Sequence, residues 1–244
     1  MGSIEELIKQ ELGTSVFRST GQGGGGCISN GTAYETDSGI VFAKFNDKSE
    51  ALRMFEGEFE SLAALKSTDT VKVPSPIKVI SNPRGGAVLV MEYVDIRGLS
   101  RHARKLGEQM ARLHLHNSEL GKTARQKEQS VHKGNYSCYT DKFGFPTTTC
   151  CGYLPQENKW SDTWPYNDRK VGTLWSTLVP SLPKLFKDVV VEPSLVHGDL
   201  WGGNAGETGD GPVVFDPASF YGHSEYDLAI SNMFGGFGRD FFTS

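Results

Sequence analysis

The sequence predicts an α+β protein of two lobes: an N-terminal antiparallel sheet with one inserted helix, then a mainly helical C-terminal lobe. Up to Val94, β-rich apolar stretches alternate with glycine turns, and one helical pattern, Ser49 to Lys66, interrupts them. Beyond Gly98 the spacing of Leu99, Ala103, Leu106, Met110 and Leu113 is that of a long helix. A length of 244 residues fits one large domain or two small lobes. The change of character near Asp95 to Gly98 sets the expected boundary, giving an N-terminal lobe of residues 1–95 and a C-terminal lobe of residues 96–244.

Ser3 and Glu6 form a capping box, and Ile4, Leu7, Ile8 and Leu12 then share one face of a short amphipathic helix. GQGGGGCIS (Gly21 to Ser29) reads as a glycine-rich hairpin. Strands follow at Thr32 to Thr36 and Val41 to Phe45, separated by an Asp37, Ser38, Gly39 turn. Within VFAKF the strand period puts Val41, Ala43 and Phe45 on one face and Phe42 and Lys44 on the other. Leu52, Phe55, Phe59, Leu62 and Leu65 mark the inserted helix, which carries Glu58. VPSPIKVIS and AVLVMEYV, on either side of a Gly85, Gly86 turn, complete the strands. In the second half LVH and VVF are the short apolar strands, and residues 117–141 read as a polar, irregular surface loop.

Composition excludes some classes. With 25 basic and 29 acidic residues the net charge is -4, and there is no basic stripe to neutralise phosphates, so nucleic acid is not an expected partner. No apolar run approaches the ~20 residues needed to cross a bilayer. The acidic start MGSIEELIKQEL does not resemble a signal peptide, so a cytoplasmic protein without a membrane partner is expected. Cys27, Cys138, Cys150 and Cys151 show no Cys-x-x-Cys spacing and are read as reduced thiols.

The chemistry-bearing residues occur in the order that phosphoryl transfer requires: a phosphate cradle, a lysine, metal ligands and a proton acceptor. Gly24, Gly25 and Gly26 let backbone N–H groups approach phosphate oxygens without a Cβ in the way, although a glycine run alone also marks a flexible loop. Lys44 on its strand and Glu58 fourteen residues later on the helix match the pair in which a carboxylate aims an ammonium at nucleotide phosphates. HGDLWGGN (His197 to Asn204) places Asp199 and Asn204 five residues apart, as a proton-accepting aspartate and a magnesium-binding asparagine are placed in kinase catalytic loops. Asp216, ending the apolar strand in VVFDPA, is the second metal ligand. His197 is expected to hold the loop backbone rather than act as a base, and Asp227 to bond the same loop from the start of a helix. His114 and His116 receive no role.

The HGD form of this loop resembles the small-molecule branch of the protein-kinase-like superfamily. GGGGCIS, MFEGEFESL, TCCGYLPQ, HGDLWGGN and FDPASFYGHSEYDLAI more specifically resemble the fructosamine and ketosamine 3-kinase family over most of the chain. That resemblance implies a two-lobed kinase using ATP and Mg2+. It would phosphorylate the third-carbon hydroxyl of ketosamines, free or on glycated proteins, after which the adduct decomposes and the amine is freed. It implies Asp199 as proton acceptor, Lys44 as the phosphate lysine, the backbone of Glu92, Tyr93 and Val94 as the adenine contact, and Trp201 beside the acceptor sugar. KVPSPIKVI, CCGYLPQ and HGDLWGGN look closer to the branch acting on ribulosamine and psicosamine than to the one that also accepts fructosamine.

Two departures from the family pattern stand out. About twenty largely helical residues are missing between WSDTWP and LWS, and the segment that follows FFTS in the family has no counterpart here. A shortened helical lobe is therefore expected, and a nucleotide-binding form with weak or no turnover is the alternative, as is another small-molecule kinase of the superfamily. Cys27, flanked by glycines, is expected to be accessible and to support a redox-dependent homodimer.

Overall fold

The computed structural model describes residues 3–25, 30–128, 139–164 and 189–243. Gly26 and Cys27 lie outside the described residues, as does the LWS segment. Helix α1 (Ile4–Leu12) begins at the Ser3/Glu6 capping box, with both reciprocal bonds formed, and ends at Gly13, whose φ of 64° directs its N–H back onto the last turn.

The N-terminal half is a five-stranded antiparallel sheet of β1 (Arg18–Gly25), β2 (Asn30–Thr36), β3 (Gly39–Asn46), β4 (Pro76–Ser81) and β5 (Ala87–Glu92), in the order β1-β2-β3-β5-β4. Helix α2 (Ala51–Ser67) is inserted between β3 and β4. The period of two then sorts the side chains. Val88 and Val90 pack with Ala43, Ile80 and Ile8 of α1 on one face. Leu89 and Met91 pack with Phe55, Leu62 and Leu65 of α2 on the other. Covered on both faces, β5 is buried from Ala87 to Met91, which is why its sequence is an unbroken apolar run. Lys44 and Phe42 point to the α2 side, as the alternation requires.

After β5 the chain crosses over through β6 (Arg97–Gly98), which pairs with β10 (Ala205–Glu207), itself paired with β11 (Pro212–Val214). Helix α3 (Ala103–Glu128) follows. It overturns the expectation of an irregular segment from residue 117, because the helix continues to Glu128. The polar run SELGKTARQKE consists largely of good helix formers, and its inward positions are engaged. Asn117 Nδ2 donates to the carbonyls of Thr140 and Pro193 at 2.8 and 2.7 Å. Gly121 lies so close to the Tyr139 ring that an added Cβ would meet it at 2.8 Å. Polarity marked an exposed face, not a loop. Leu99 precedes the helix.

The turn leading into α3 is held from a distance. The buried Glu207 carboxylate accepts from the backbone N–H groups of Ser100, Arg101 and His102 at 2.9–3.0 Å, and from Ser100 Oγ. These donors belong to the turn that leads into α3, so the carboxylate fixes the approach to the helix. They hold Glu207 low, to a pKa of about 2, the Ser100 backbone bond contributing most.

The remaining elements are the hairpin β7 (Cys150–Cys151) and β8 (Leu154–Pro155), the pair β9 (Ser194–Val196) and β12 (Phe220–Gly222), and helices α4 (Glu225–Phe234) and α5 (Arg239–Phe242). One apolar core runs through both halves, joining Phe55 and Leu62 to Leu106, Met110, Leu195 and Val214. On α4 and α5, Leu228, Met233, Phe234 and Phe242 are exposed.

Candidate active site

A cavity of about 830 Å³ opens between the sheet and the second half of the chain. Its walls bring together residues that are far apart in sequence: Gln22 and Gly23 of β1, Lys44 of β3, Glu58 of α2, the Glu92 to Val94 crossover, and the segments around Asp199 and Asp216.

Lys44 Nζ lies 2.7 Å from Glu58 Oε1 and 2.8 Å from Asp216 Oδ1. The residue is 8% exposed, so the ammonium depends on these partners. Burial alone would push its pKa down, but the charges of Glu58 and Asp216 prevail and push it up. Glu58 is pulled both ways. Burial pushes its carboxyl up, Lys44 pulls it down and Asp216 pushes it up again, to about 7 in total. The two shifts disagree over which partner stays charged, and the contacts decide: an ammonium donating to two carboxylates at under 2.9 Å stays protonated.

Asp216 has φ +56°, the left-handed region that aspartate tolerates better than most residues. Bonds on its N-terminal side fix this turn: Phe215 N donates to the Asn204 carbonyl, Val214 N to the Lys72 carbonyl, and His197 Nε2 to the Phe215 carbonyl.

The HGDLWGGN loop hangs from Asp227. Backbone N–H groups of His197 and Gly198 donate to its two oxygens at 2.8 and 2.9 Å, and His114 Nε2 lies 2.9 Å from Oδ2. Burial would push the Asp227 carboxyl up, but the bond from His114 and the surrounding donors hold it low. His197 is fully buried. Its Nδ1 accepts from Asp199 N and its Nε2 meets a carbonyl, which defines the neutral Nε2–H tautomer, and burial lowers its pKa accordingly. The expected structural roles of His197 and Asp227 match these contacts. Gly198, at φ +84°, faces the Ala218 carbonyl with no room for a Cβ.

Asp199 is half-buried, and that burial raises its pKa. Asn204 Nδ2 donates to both its carbonyl and its Oδ2 at 2.9 Å. Trp201 lines the cavity with its ring folded over Gly203. In the crossover segment Glu92 turns its carboxylate to Ser75, accepting from N and Oγ, and its own N–H donates to the Ser75 carbonyl. Tyr93 Oη donates to Gln22 Oε1 at 3.0 Å, which ties the crossover to the glycine-rich strand. Gly24 and Gly25 continue β1 beside Gly23.

Three participants gave no readable signal in the sequence. His114 was left without a role, yet it bonds Asp227 across 113 positions. Gln22 stands among glycines, and its partner is 71 residues away. Cys151 Sγ lies 3.8 Å from Asp199 Oδ1. Each is set by tertiary approach, and the TCCGYLPQ phrase is the only trace of the third.

Residues 1–244 match the family model described as fructosamine kinase. The chain belongs to the fructosamine kinase family. It is 51% identical over 262 residues to mouse ketosamine-3-kinase, covering 99% of this chain and 85% of that protein. It is 35% identical to the Arabidopsis thaliana chloroplastic protein-ribulosamine 3-kinase, covering 99% and 73%. The mouse alignment is 18 positions longer than the 244-residue chain, so gaps totalling at least 18 positions fall within this chain. In fold, the chain is similar to the crystal structure of a candidate fructosamine-3-kinase from Haemophilus somnus, with a TM-score of 0.73 at 21% identity over 99% of this chain and 80% of that one. The α+β, kinase-like fold read from the sequence is thus the fold of a fructosamine kinase.

Proposed function

We propose that this chain is an ATP-dependent ketosamine 3-kinase that phosphorylates the third-carbon hydroxyl of ribulosamine or psicosamine adducts on protein lysines or as free ketosamines. The observation that carries the reading is the convergence of two groups on one cavity, Lys44 with Glu58 and Asp216, and Asp199 with Asn204. Two lobes, residues 1–95 and 96–244, meeting at this cavity belong to the same reading.

In this mechanism Lys44, aimed by Glu58, holds nucleotide phosphates while β1 lies over them and the backbone of Glu92, Tyr93 and Val94 meets the base. Phe42, Met91, Ala205 and Phe215 supply an apolar lining suited to a flat heterocycle. The Asp216 carboxylate and the Asn204 carboxamide oxygen are hard donors, a set that fits Mg2+, which commonly uses one or two protein oxygens plus phosphates. Magnesium, when bound, neutralises charge on the transferring phosphoryl group. Asp199 takes the proton of the acceptor hydroxyl as its oxygen bonds to the γ-phosphorus and the bond to the ADP oxygen breaks. Burial raises the pKa of Asp199, which makes its carboxylate a stronger base. Trp201 lines the acceptor side.

No helix of the described residues is long and apolar enough to cross a membrane. A cytoplasmic location is part of the proposal, and the unbridged thiols of Cys150 and Cys151 support it. A Cys27-linked dimer is a separable element: Cys27→Ala should abolish an oxidised dimer, and an unchanged oligomer pattern removes that element.

The test is phosphate transfer from magnesium ATP to a ribulosamine-modified lysine peptide, with melting curves for the chain and Asp199→Asn. Transfer lost in a folded mutant is the expected result. A cooperatively melting chain that binds ATP and transfers nothing overturns the proposal.

A further inference from the structure

The acceptor side of the cavity is shaped by the short β7–β8 hairpin, which is held rigidly. Gly57 of α2 packs so closely on it that an added Cβ would meet the Thr148 carbonyl at 2.5 Å. Thr149 is fully buried, with Asn158 Nδ2 donating to its Oγ1 at 2.7 Å and Gln156 N donating to its carbonyl at 2.8 Å. Gly152, at φ +62°, makes the turn. Cys150 and Gly152 line the cavity on either side of Cys151. The Cys151 side chain is therefore presented from a fixed backbone.

Asp199 has two carboxylate oxygens with different commitments. Oδ2 accepts from Asn204 Nδ2 at 2.9 Å, and Oδ1 has Cys151 Sγ at 3.8 Å, long for a hydrogen bond and easily exchanged. A hydroxyl that gives its proton to Asp199 has to come within about 2.6–3.2 Å of a carboxylate oxygen. Oδ1 is the one so weakly engaged, and the thiol lies beside it. Tyr226 stands close enough to Cys151 and Asp199 for their charges to raise its pKa, burial being the larger cause, so its phenol stays neutral beside them.

We propose that Cys151 is a specificity-determining residue of the acceptor site: its thiol occupies the approach to Asp199 Oδ1, yields to the acceptor hydroxyl, and by its size sets which carbon of the sugar can reach that oxygen. This rests on the kinase reading above, with Asp199 as proton acceptor. A thiol suits the position because it fills space while giving only a weak bond, so displacing it costs little. A branched carbon in its place would obstruct the same approach without being displaced.

The experiment is steady-state transfer to ribulosyl-lysine and fructosyl-lysine peptides by wild type, Cys151→Val and Cys151→Ser, with the KM of each substrate determined separately. Valine suits a strand, so the fold should persist. Cys151→Val is expected to raise the ketosamine KM about tenfold or more and to change the ratio of the two sugars, with the KM for ATP within about twofold, and Cys151→Ser to stay within about threefold of wild type throughout. Should Cys151→Val fail to fold, iodoacetamide alkylation of wild type, mapped to Cys151, gives the same answer. The thiol sulfur bonds carbon, iodide leaves and the proton goes to water; bound ketosamine should slow this and ATP alone should not. Equal protection by ATP, or a Cys151→Val enzyme with unchanged ketosamine KM and sugar ratio, overturns this inference alone, whereas a wild type that transfers nothing overturns both readings.

Discussion

The two groups of polar side chains that line the cavity, its phosphate and acceptor walls by their proposed roles, are built on different principles. The phosphate wall joins Lys44, Glu58 and Asp216 from a strand, a helix and a turn 172 residues away into an ion cluster with contacts under 2.9 Å, in which Lys44 and Glu58 are buried and Asp216 is partly exposed. The acceptor wall is local: Asp199 and Asn204 come from one loop, with Cys151 as a loose third member. A cluster assembled from distant elements couples its chemistry to the whole fold, and a loop hung from one buried carboxylate does not. Damage to the first wall should therefore appear in stability and nucleotide affinity together, and damage to the second in turnover or acceptor affinity without a loss of stability.

The largest expected effect is on the acceptor wall. Asp199→Asn removes the proposed proton acceptor while keeping a group that Asn204 can bond, so kcat should fall by about 100- to 10,000-fold with ATP affinity and melting temperature unchanged. A joint loss of activity and melting temperature would contradict the separation of the walls. On the phosphate wall, Lys44→Met leaves Glu58 and Asp216 facing each other without their cation. Breaking a buried pair in this way costs about 3–5 kcal/mol. Chemical denaturation and ATP titration should both register it, and acidification should recover part of the stability, because a protonated Glu58 no longer repels Asp216.

A smaller effect is expected one layer behind the acceptor wall. His114→Phe removes one bond to Asp227 but leaves the two backbone donors of the loop in place. We expect kcat to fall about tenfold with both KM values unchanged, since a loosened loop misplaces Asp199 without altering either binding surface. Unchanged kcat would mean that the two backbone bonds suffice.

These differences also account for what the sequence made legible. Lys44 and Glu58, fourteen residues apart, and Asp199 and Asn204, five apart, were legible because their spacing matches kinase motifs, and in the structure each pair is in contact. Asp227 was legible as a residue bonding the catalytic loop from a helix start, but its particular donors, the N–H groups of His197 and Gly198, are set by the packing. His114, Gln22, Cys151 and Glu207 were not readable, since each meets a partner set by how elements pack and no periodicity records that. The misreading of residues 117–128 has a related cause: Asn117 and Gly121 face inward on α3, but neither is apolar, so the buried stripe of the helix fades from the sequence while the helix itself continues.

Glu207 provides the finest test, because it resembles Asp227 in form and serves no chemistry. Both are buried carboxylates accepting backbone N–H groups, but Glu207 holds the turn leading into α3 and is not among the residues that line the cavity. Glu207→Gln retains the shape with a weaker acceptor, so the protein should melt a few degrees lower near pH 6 while kcat and both KM values stay as they were. The pH dependence fixes the cause. The folded pKa lies at about 2, below the ordinary 4.5, so the charged form stabilises the fold above about pH 4.5, and that contribution disappears as pH falls toward 2. The melting-temperature gap between wild type and Glu207→Gln should close over this window. A gap that persists to pH 2 would assign the loss to packing, and a fall in kcat would show that the turn leading into α3 reaches the catalytic loop after all.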